Sequence, residues 1–354
     1  MQERLLFPYK EEMDIQQYYE KLHLIYSRIV DDVSKKIYTY RLLMTFTGDI
    51  SYIRKLVLLT EPGVQFKEFL KKQSKIYVYG AGVRGTRVVQ MFPEMNWVAY
   101  IDERKEGVCN NVPIIKIDNL ILEDKAIILI TNQVGANNIK KDIISKGIVE
   151  DAIVILNDFE DMAQKNRYFE KRCIENFKKS RGAFVDAGCF DGEDCIAFLN
   201  SILNENGNIF AFEPDINNYV NCIKRLKQYE RVKVYNIGLA DQKQQVYFRG
   251  DGGVDSRISE EGDYLVDIDT IDSVLSNENI GFIKMDIEGS EKKALLGART
   301  HIEKEKPNMM ISVYHKVQDI IEIPVLLLEM NPNYRFALGH YTTNIGDTIL
   351  YVFE

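Results

Sequence analysis

Twice in this chain a short apolar run of β character ends in a glycine-punctuated loop that leads into helix-like spacing. Ile76-Tyr77-Val78-Tyr79 runs into Gly80-Ala81-Gly82-Val83-Arg84-Gly85, and Ala183-Phe184-Val185 runs into Asp186-Ala187-Gly188-Cys189-Phe190-Asp191-Gly192. Such a unit leaves few options: the strand is buried on both faces, a crossover helix covers one of them, and the loop lies at the carboxyl edge of a parallel sheet. Two well-separated units predict two α/β domains. The length of 354 residues agrees, since roughly 150 residues per domain gives about two.

The remaining text divides around them. From Met13 to about Lys72, residues such as Leu22, Ile25, Ile29 and Val33 recur at helical intervals, broken at Gly48 and Pro62. Residues 1–74 are therefore expected to be a helical segment packed on the next domain. Strands at Ile76–Tyr79, Trp97–Ile101 (ending at Asp102), Ala126–Ile130 and Val154–Leu156 make 75–157 a small Rossmann-like accessory domain. The charged stretch 158–180 carries Tyr168, Phe169, Cys173, Ile174 and Phe177 at helical spacing and reads as a linking helix. From 181 to 354 the alternation restarts, with strands at Ala183–Asp186, Ile209–Glu213, Val232–Asn236, Phe282–Asp286 and Met309–Tyr314. Tyr334–Gly339 and Thr348–Phe353 close the chain as an edge hairpin on a parallel sheet.

Composition narrows the partners. With 45% hydrophobic and 28% charged residues the chain has a globular balance, and a formal charge of −8 gives no long-range attraction to phosphate backbones, so nucleic acid is not an expected partner. Five cysteines without a C-x-x-C pair suggest neither a disulfide framework nor a thiolate zinc site, which fits a cytoplasmic protein. Met1 to Gln16 lacks an apolar core, and the longest greasy run, Ile323–Leu328, is too short for a bilayer; neither an export signal nor a membrane span is expected.

Candidate binding residues gather at three consecutive strand ends. Gly188 permits a tight turn after the strand, and Gly192 is expected to let a ligand approach where a Cβ would collide. Glu213, at the end of the next strand, offers two acceptor oxygens that match the vicinal diol of a ribose, and Asn236-Ile237 ends the third strand where an adenine could lie. An acid at Asp186 suits a cationic amino acid moiety and would repel a pyrophosphate. Asp186 and Glu213 as plain loop-capping acids is the competing reading.

The segment Phe282-Ile-Lys284-Met-Asp286-Ile-Glu288-Gly289-Ser-Glu291-Lys-Lys-Ala-Leu-Leu-Gly297-Ala298 resembles the signature of the FkbM-type methyltransferases. Phe212-Glu213-Pro214, the Asp186 loop and the closing His340-Tyr341 to Leu350-Tyr351 resemble that family in the same order. The resemblance implies a class I methyltransferase fold, S-adenosylmethionine as methyl donor, and an oxygen of a saccharide or other small molecule as acceptor. Under it, Asp186, Gly188, Gly192, Glu213, Asn236 and Ile237 are the cofactor residues.

Methyl transfer from a sulfonium is an in-line displacement that needs alignment and dryness, whereas an attacking hydroxyl must also lose its proton. Asp286 is expected at the carboxyl edge of the fourth strand, over the crevice. Two of the four histidines, His315 and His340, follow late strands, and either is a candidate general base or a plain surface residue. Asp286 with Glu288 could hold a hydroxyl or a divalent ion, but two carboxylates without further ligands leave the metal unassigned.

Upstream, Gly80, Gly82 and Gly85 with Asp102 at the next strand end satisfy the form of a dinucleotide fingerprint and are candidate nucleotide ligands. The domain is short for a dehydrogenase and no Tyr-x-x-x-Lys follows, so an accessory role is favoured. Asn331-Pro332-Asn333-Tyr334 superficially matches an amino-methylase motif but falls after the wrong strand and reads as a turn. A non-catalytic nucleotide-binding protein is the rival from another class, and nothing in the sequence sets the number of subunits, a homo-oligomer included.

Overall fold

The computed structural model describes residues 15–123, 125–165, 167–177, 182–201, 207–249, 257–258, 262, 264–344 and 346–354. The segment read for a leader lies mostly outside these residues, as does the 180/181 boundary. The chain forms two compact units. One is Thr39–Lys165 with His340–Ile345; the other is Met1–Tyr38 with Asn166–Gly339 and Gly346–Glu354.

Four helices come first: α1 (Ile15–Arg28), α2 (Asp32–Thr47), α3 (Ser51–Val57) and α4 (Glu61–Lys71). Pro62 does not break structure but sits in the first turn of α4, where a missing N–H costs nothing, and the Thr60 hydroxyl caps the turn by accepting from the Gly63 amide. In the first unit β1 (Lys75–Tyr79), β2 (Trp97–Ile101), β3 (Gly107–Cys109), β4 (Val112–Ile115), β5 (Ala126–Ile130) and β6 (Ile153–Ile155) form a sheet in the order β3-β4-β2-β1-β5-β6. Helices α5 (Val83–Met91), α6 (Ala136–Ser145) and α7 (Leu156–Gln164) follow β1, β5 and β6. The period of two splits each strand between two cores. Ile76, Ile127 and Leu129 pack with Val88 and Met91 of α5, while Tyr77, Ile128 and Ile130 pack with Ala136 and Ile143 of α6.

In the second unit α8 (Lys171–Ile174) precedes β7 (Ala183–Ala187), α9 (Glu193–Leu199), β8 (Ile209–Phe212), α10 (Ile216–Leu226) and β9 (Val232–Tyr235). Then come β10 (Gly238–Leu239), β11 (Gln244–Arg249), β12 (Arg257–Ile258), β13 (Tyr264–Asp269), α11 (Ile271–Val274) and β14 (Ile280–Met285). Helices α12 (Glu291–Leu296) and α13 (Arg299–Glu305), β15 (Asn308–Ser312), α14 (Asp319–Met330), β16 (Arg335–His340) and β17 (Thr348–Phe353) complete it. The seven-stranded sheet runs β16-β17-β15-β14-β7-β8-β9, parallel from β15 to β9, with β17 antiparallel to β15. This is the Rossmann-like order expected of a class I methyltransferase.

Three expectations need correction. The N-terminal segment is not one preface: Ile29 bridges Phe336, and Arg172 donates to Asp31, Ser34 and the Leu338 carbonyl, so α1 and the start of α2 fold with the C-terminal half. The stretch 158–180 is not one helix. After α7 the chain turns to drive Tyr168 inward, 1% exposed, and only the short α8 follows. A second sheet of four strands, β10-β13-β11-β12, was not anticipated. Val246, Phe248, Val266 and Ile268 turn to its core while Tyr247 and Leu265 stay exposed, an alternation readable in Gln244–Arg249 and Tyr264–Asp269.

Candidate active site

Because the strands end one residue earlier than their apolar runs suggest, Glu213, Asn236 and Asp286 all stand just past the carboxyl ends of β8, β9 and β14. That edge of a parallel sheet is where ligands bind, since strand tips and crossover loops leave a crevice there.

Asp186 does not face this edge. It is fully buried in β7, and the parallel register sets it beside Lys284 of β14. The Lys284 ammonium lies 3.0 Å from Asp186 Oδ1 and 3.2 Å from Asp194, donates to the Gly188 carbonyl at 2.7 Å, and sits over the Tyr168 ring. Burial works against the charge on Lys284, but Asp186 and Asp194 overcome it and hold the ammonium protonated. Asp186 thus ties the glycine loop to the sheet core through Lys284, with Cys195 donating to its other oxygen.

The two loop glycines differ. Gly188 has φ +76°, and a Cβ there would stand 2.0 Å from the Asp286 carbonyl oxygen, so glycine lets the loops after β7 and β14 come together. At Gly192, φ +82°, a Cβ would meet Leu226 at 2.8 Å and Cys222 at 3.1 Å; its role is packing against α10, not the ligand approach expected.

Glu213 is 5% exposed, and its two oxygens each accept one backbone amide, from Phe190 at 3.0 Å and Asp215 at 2.9 Å. Burial is the main cause that pushes its carboxyl up to about 7, against the two amides. Asn236 spends its amide on the Glu213 and Pro214 carbonyls, so it fastens the Glu213 turn rather than presenting an edge to a ring.

A third group surrounds Asp286. Its carboxylate accepts from Tyr168 at 2.6 Å and Tyr314 at 3.3 Å, and Arg167 stands 3.9 Å away. Burial would raise its pKa, but Lys284, His315, Arg167 and the Tyr168 hydroxyl keep it below the usual carboxylate range. His315, just beyond β15, places Nδ1 2.8 Å from buried Glu291, and its Nε2 lies 3.4 Å from Asp286 and 3.4 Å from Glu288. Burial opposes its charge, yet Glu288, Glu291 and Asp286 together push its pKa up to about 11. With three carboxylates around it, His315 carries a proton at neutral pH and is not the free base expected. His340 fails differently: it is 1% exposed and lines a small cavity of the first unit with Phe66, Phe159 and Thr343, and burial then Arg41 lower its pKa to about 3.

Tyr168 and Glu291 are the site residues that sequence reasoning missed. Glu291 stood in the quoted signature without a role; Tyr168 lies 118 residues from Asp286, and no local pattern could pair them.

The glycine loop of the first unit is occupied by its own chain. Asp102 accepts from the amides of Ala81, Arg104 and Lys105, and Arg84 bonds Glu160, Asn157 and the Thr131 carbonyl. Gly85 is required because a Cβ would stand 2.0 Å from the Gly80 carbonyl; Gly80 has φ +101°, while Gly82 has open space around it.

Comparison with known proteins matches residues 186–336 to the Methyltransferase FkbM domain, which takes in Glu213, Asp286 and His315. This part of the chain carries a Methyltransferase FkbM domain. The 2-O-methyltransferase NoeI of Sinorhizobium fredii is 22% identical over 207 residues, covering 51% of this chain and 83% of that protein. Among solved structures, Methyltransferase FkbM from Methylobacillus flagellatus is 19% identical, covers 83% of this chain and 94% of that one, and has a TM-score of 0.44. Aeropyrum pernix fibrillarin, solved with S-adenosyl-L-methionine natively bound, is 9% identical over 53% of this chain and 76% of its own, with a TM-score of 0.33. Among the described residues no helix is long and apolar enough to cross a membrane.

Proposed function

We propose that this methyltransferase transfers the methyl group to a hydroxyl of a saccharide. The observation that carries the reading is the ring of hydrogen-bonding groups at the carboxyl edge of β14 and β15, where Asp286, Glu288 and His315 face one another beside the Gly188 loop. A polyol needs several acceptors and donors at close range, and this edge offers them. Similarity to a 2-O-methyltransferase over most of that relative's length points the same way.

In this reading Glu213 holds the ribose of S-adenosylmethionine. Each of its oxygens spends one lone pair on a backbone amide and keeps another for a ribose hydroxyl, which is a donor set fitted to a diol. Asn236 and Lys284 act as positioning residues, the first on the Glu213 turn and the second on the Gly188 loop. Ile237, half-buried beside them, supplies an apolar surface for the adenine. The bound donor supplies an electrophilic methyl group. Asp286, kept ionised, and Glu288 accept the acceptor hydroxyl's hydrogen bond and aim its oxygen.

The test is mass spectrometry of products after incubation with S-adenosylmethionine and a panel of nucleotide-linked sugars, free oligosaccharides and non-sugar phenols. Gain of one methyl on a sugar hydroxyl, reduced by Asp286→Asn, is the expected result. Methylation confined to the phenols would refute the saccharide reading.

A further inference from the structure

We infer that Asp286, Glu288 and His315 form a binding site for a divalent transition-metal cation, with Glu291 as the group that orients the histidine. Carboxylate oxygens of the two acids and a ring nitrogen of His315 all lie within 4.8 Å of one another. The distances from Nε2 to Asp286 and to Glu288 are 3.4 Å each, close to the roughly 3 Å that separates adjacent ligands held at about 2.1 Å from one ion.

The histidine supplies the independent observation. Its side chain is 8% exposed, and Nε2, aimed at the two carboxylates, is buried without a hydrogen-bond partner. Glu291, itself 1% exposed, sits on the other ring nitrogen at 2.8 Å and also accepts the Ile287 amide. The carboxylate on Nδ1 orients the ring and keeps that nitrogen protonated, so a cation that displaces the Nε2 proton meets a ring nitrogen already aimed at the two acids, with the proton passing to solvent. The remaining neighbours serve that arrangement. Tyr168 and Tyr314 anchor Asp286, Arg167 stands 3.9 Å from the oxygen of Asp286 that Tyr168 occupies, and Lys316 is spent on the Gly289 carbonyl.

Glu288 adds backbone evidence. Its φ is +53°, a left-handed conformation disfavoured for a residue with a Cβ, and in that conformation its carboxylate meets the imidazole. One nitrogen and two oxygens are a mixed set that suits Mn²⁺, Co²⁺ or Zn²⁺ better than Ca²⁺, and the half-exposed Glu288 leaves coordination positions open on the solvent side. If the function proposed above holds, an acceptor hydroxyl takes one of those positions and gives up its proton more readily there, to solvent. That corollary rests on the methyl-transfer reading; the site itself does not.

Titration of the full chain with Mn²⁺, followed by loss of the free-ion EPR signal, is the direct test. One bound ion per chain is expected, weakened at least about tenfold by His315→Ala and by Glu288→Gln, and about tenfold by Glu291→Gln through the misdirected ring. Calorimetric affinity for S-adenosylhomocysteine, unchanged in the Glu288→Gln variant, reports that the fold is intact. Absence of bound Mn²⁺, Co²⁺ or Zn²⁺ in the wild type, or binding undiminished in both His315→Ala and Glu288→Gln, overturns the site. Saccharide methylation at full rate in EDTA by a chain that binds none of these ions overturns the site and leaves the methyl-transfer reading standing. Mn²⁺ held by these residues without any saccharide product supports the site and counts against the acceptor.

Discussion

At the residue scale, the side chain with most at stake is Lys284, which the sequence showed only as one polar letter in an apolar strand. Buried between Asp186, Asp194 and a ring face, it balances charges that cannot otherwise stay in the core. Lys284→Ala leaves Asp186 buried and unpaired, and a loss of about 3–5 kcal/mol in urea unfolding is expected, with Lys284→Met/Asp186→Leu recovering a large part. Glu213 gives a second expectation, in pH. Its carboxyl titrates near 7 instead of 4.5, so it favours folding below the ordinary value and loses that contribution as pH rises through about 7. Ligand binding runs the opposite way, because a diol prefers the ionised acceptor. Calorimetry with S-adenosylhomocysteine should show affinity falling up to tenfold per unit below about pH 7, and Glu213→Gln should bind weakly at every pH. The positions of Glu213 and Asp286 were legible, since a strand tip is a local property. Their partners were not, because Tyr168, Tyr314 and Phe190 reach them through the fold.

At the element scale, two strand-loop-helix units that look alike in sequence behave differently. The loop after β7 is pressed against the loop after β14, whereas around Gly82 in the loop after β1 there is open space. Gly188→Ala is expected to cost about 3 kcal/mol or more, through its backbone clash and left-handed φ, while Gly82→Ala should cost at most about 1 kcal/mol at the start of α5. Thermal unfolding of the two variants checks this, and equal losses would mean that both loops carry the same constraint. Strands with near-continuous burial, such as β5 and β14, were plain in the sequence because every position is apolar or deeply packed. The helical segment 158–180 misled because amphipathic spacing is compatible with a turn that buries Tyr168, and period alone cannot tell the two apart.

At the scale of the whole molecule, two Rossmann-like sheets in one chain need not mean two ligands. The carboxylate of Asp102 is consumed by three backbone amides of its own loop, while Glu213 keeps acceptor capacity, so calorimetry should find one S-adenosylhomocysteine per chain and no NAD. Two equivalents, or NAD binding abolished by Gly82→Ala, would restore a ligand to the first unit. The order of residues by itself determined the α/β class, the two sheets and the strand ends that bear Glu213 and Asp286, because apolar period and glycine turns act over a few neighbouring residues. Only the tertiary structure decided that α1 joins the C-terminal half, that Asp186 is a buried ion paired with Lys284, and that His315 rather than His340 meets Asp286. Those outcomes depend on contacts between segments far apart in the chain, where burial sets the charge a side chain can keep, and no local pattern records that environment.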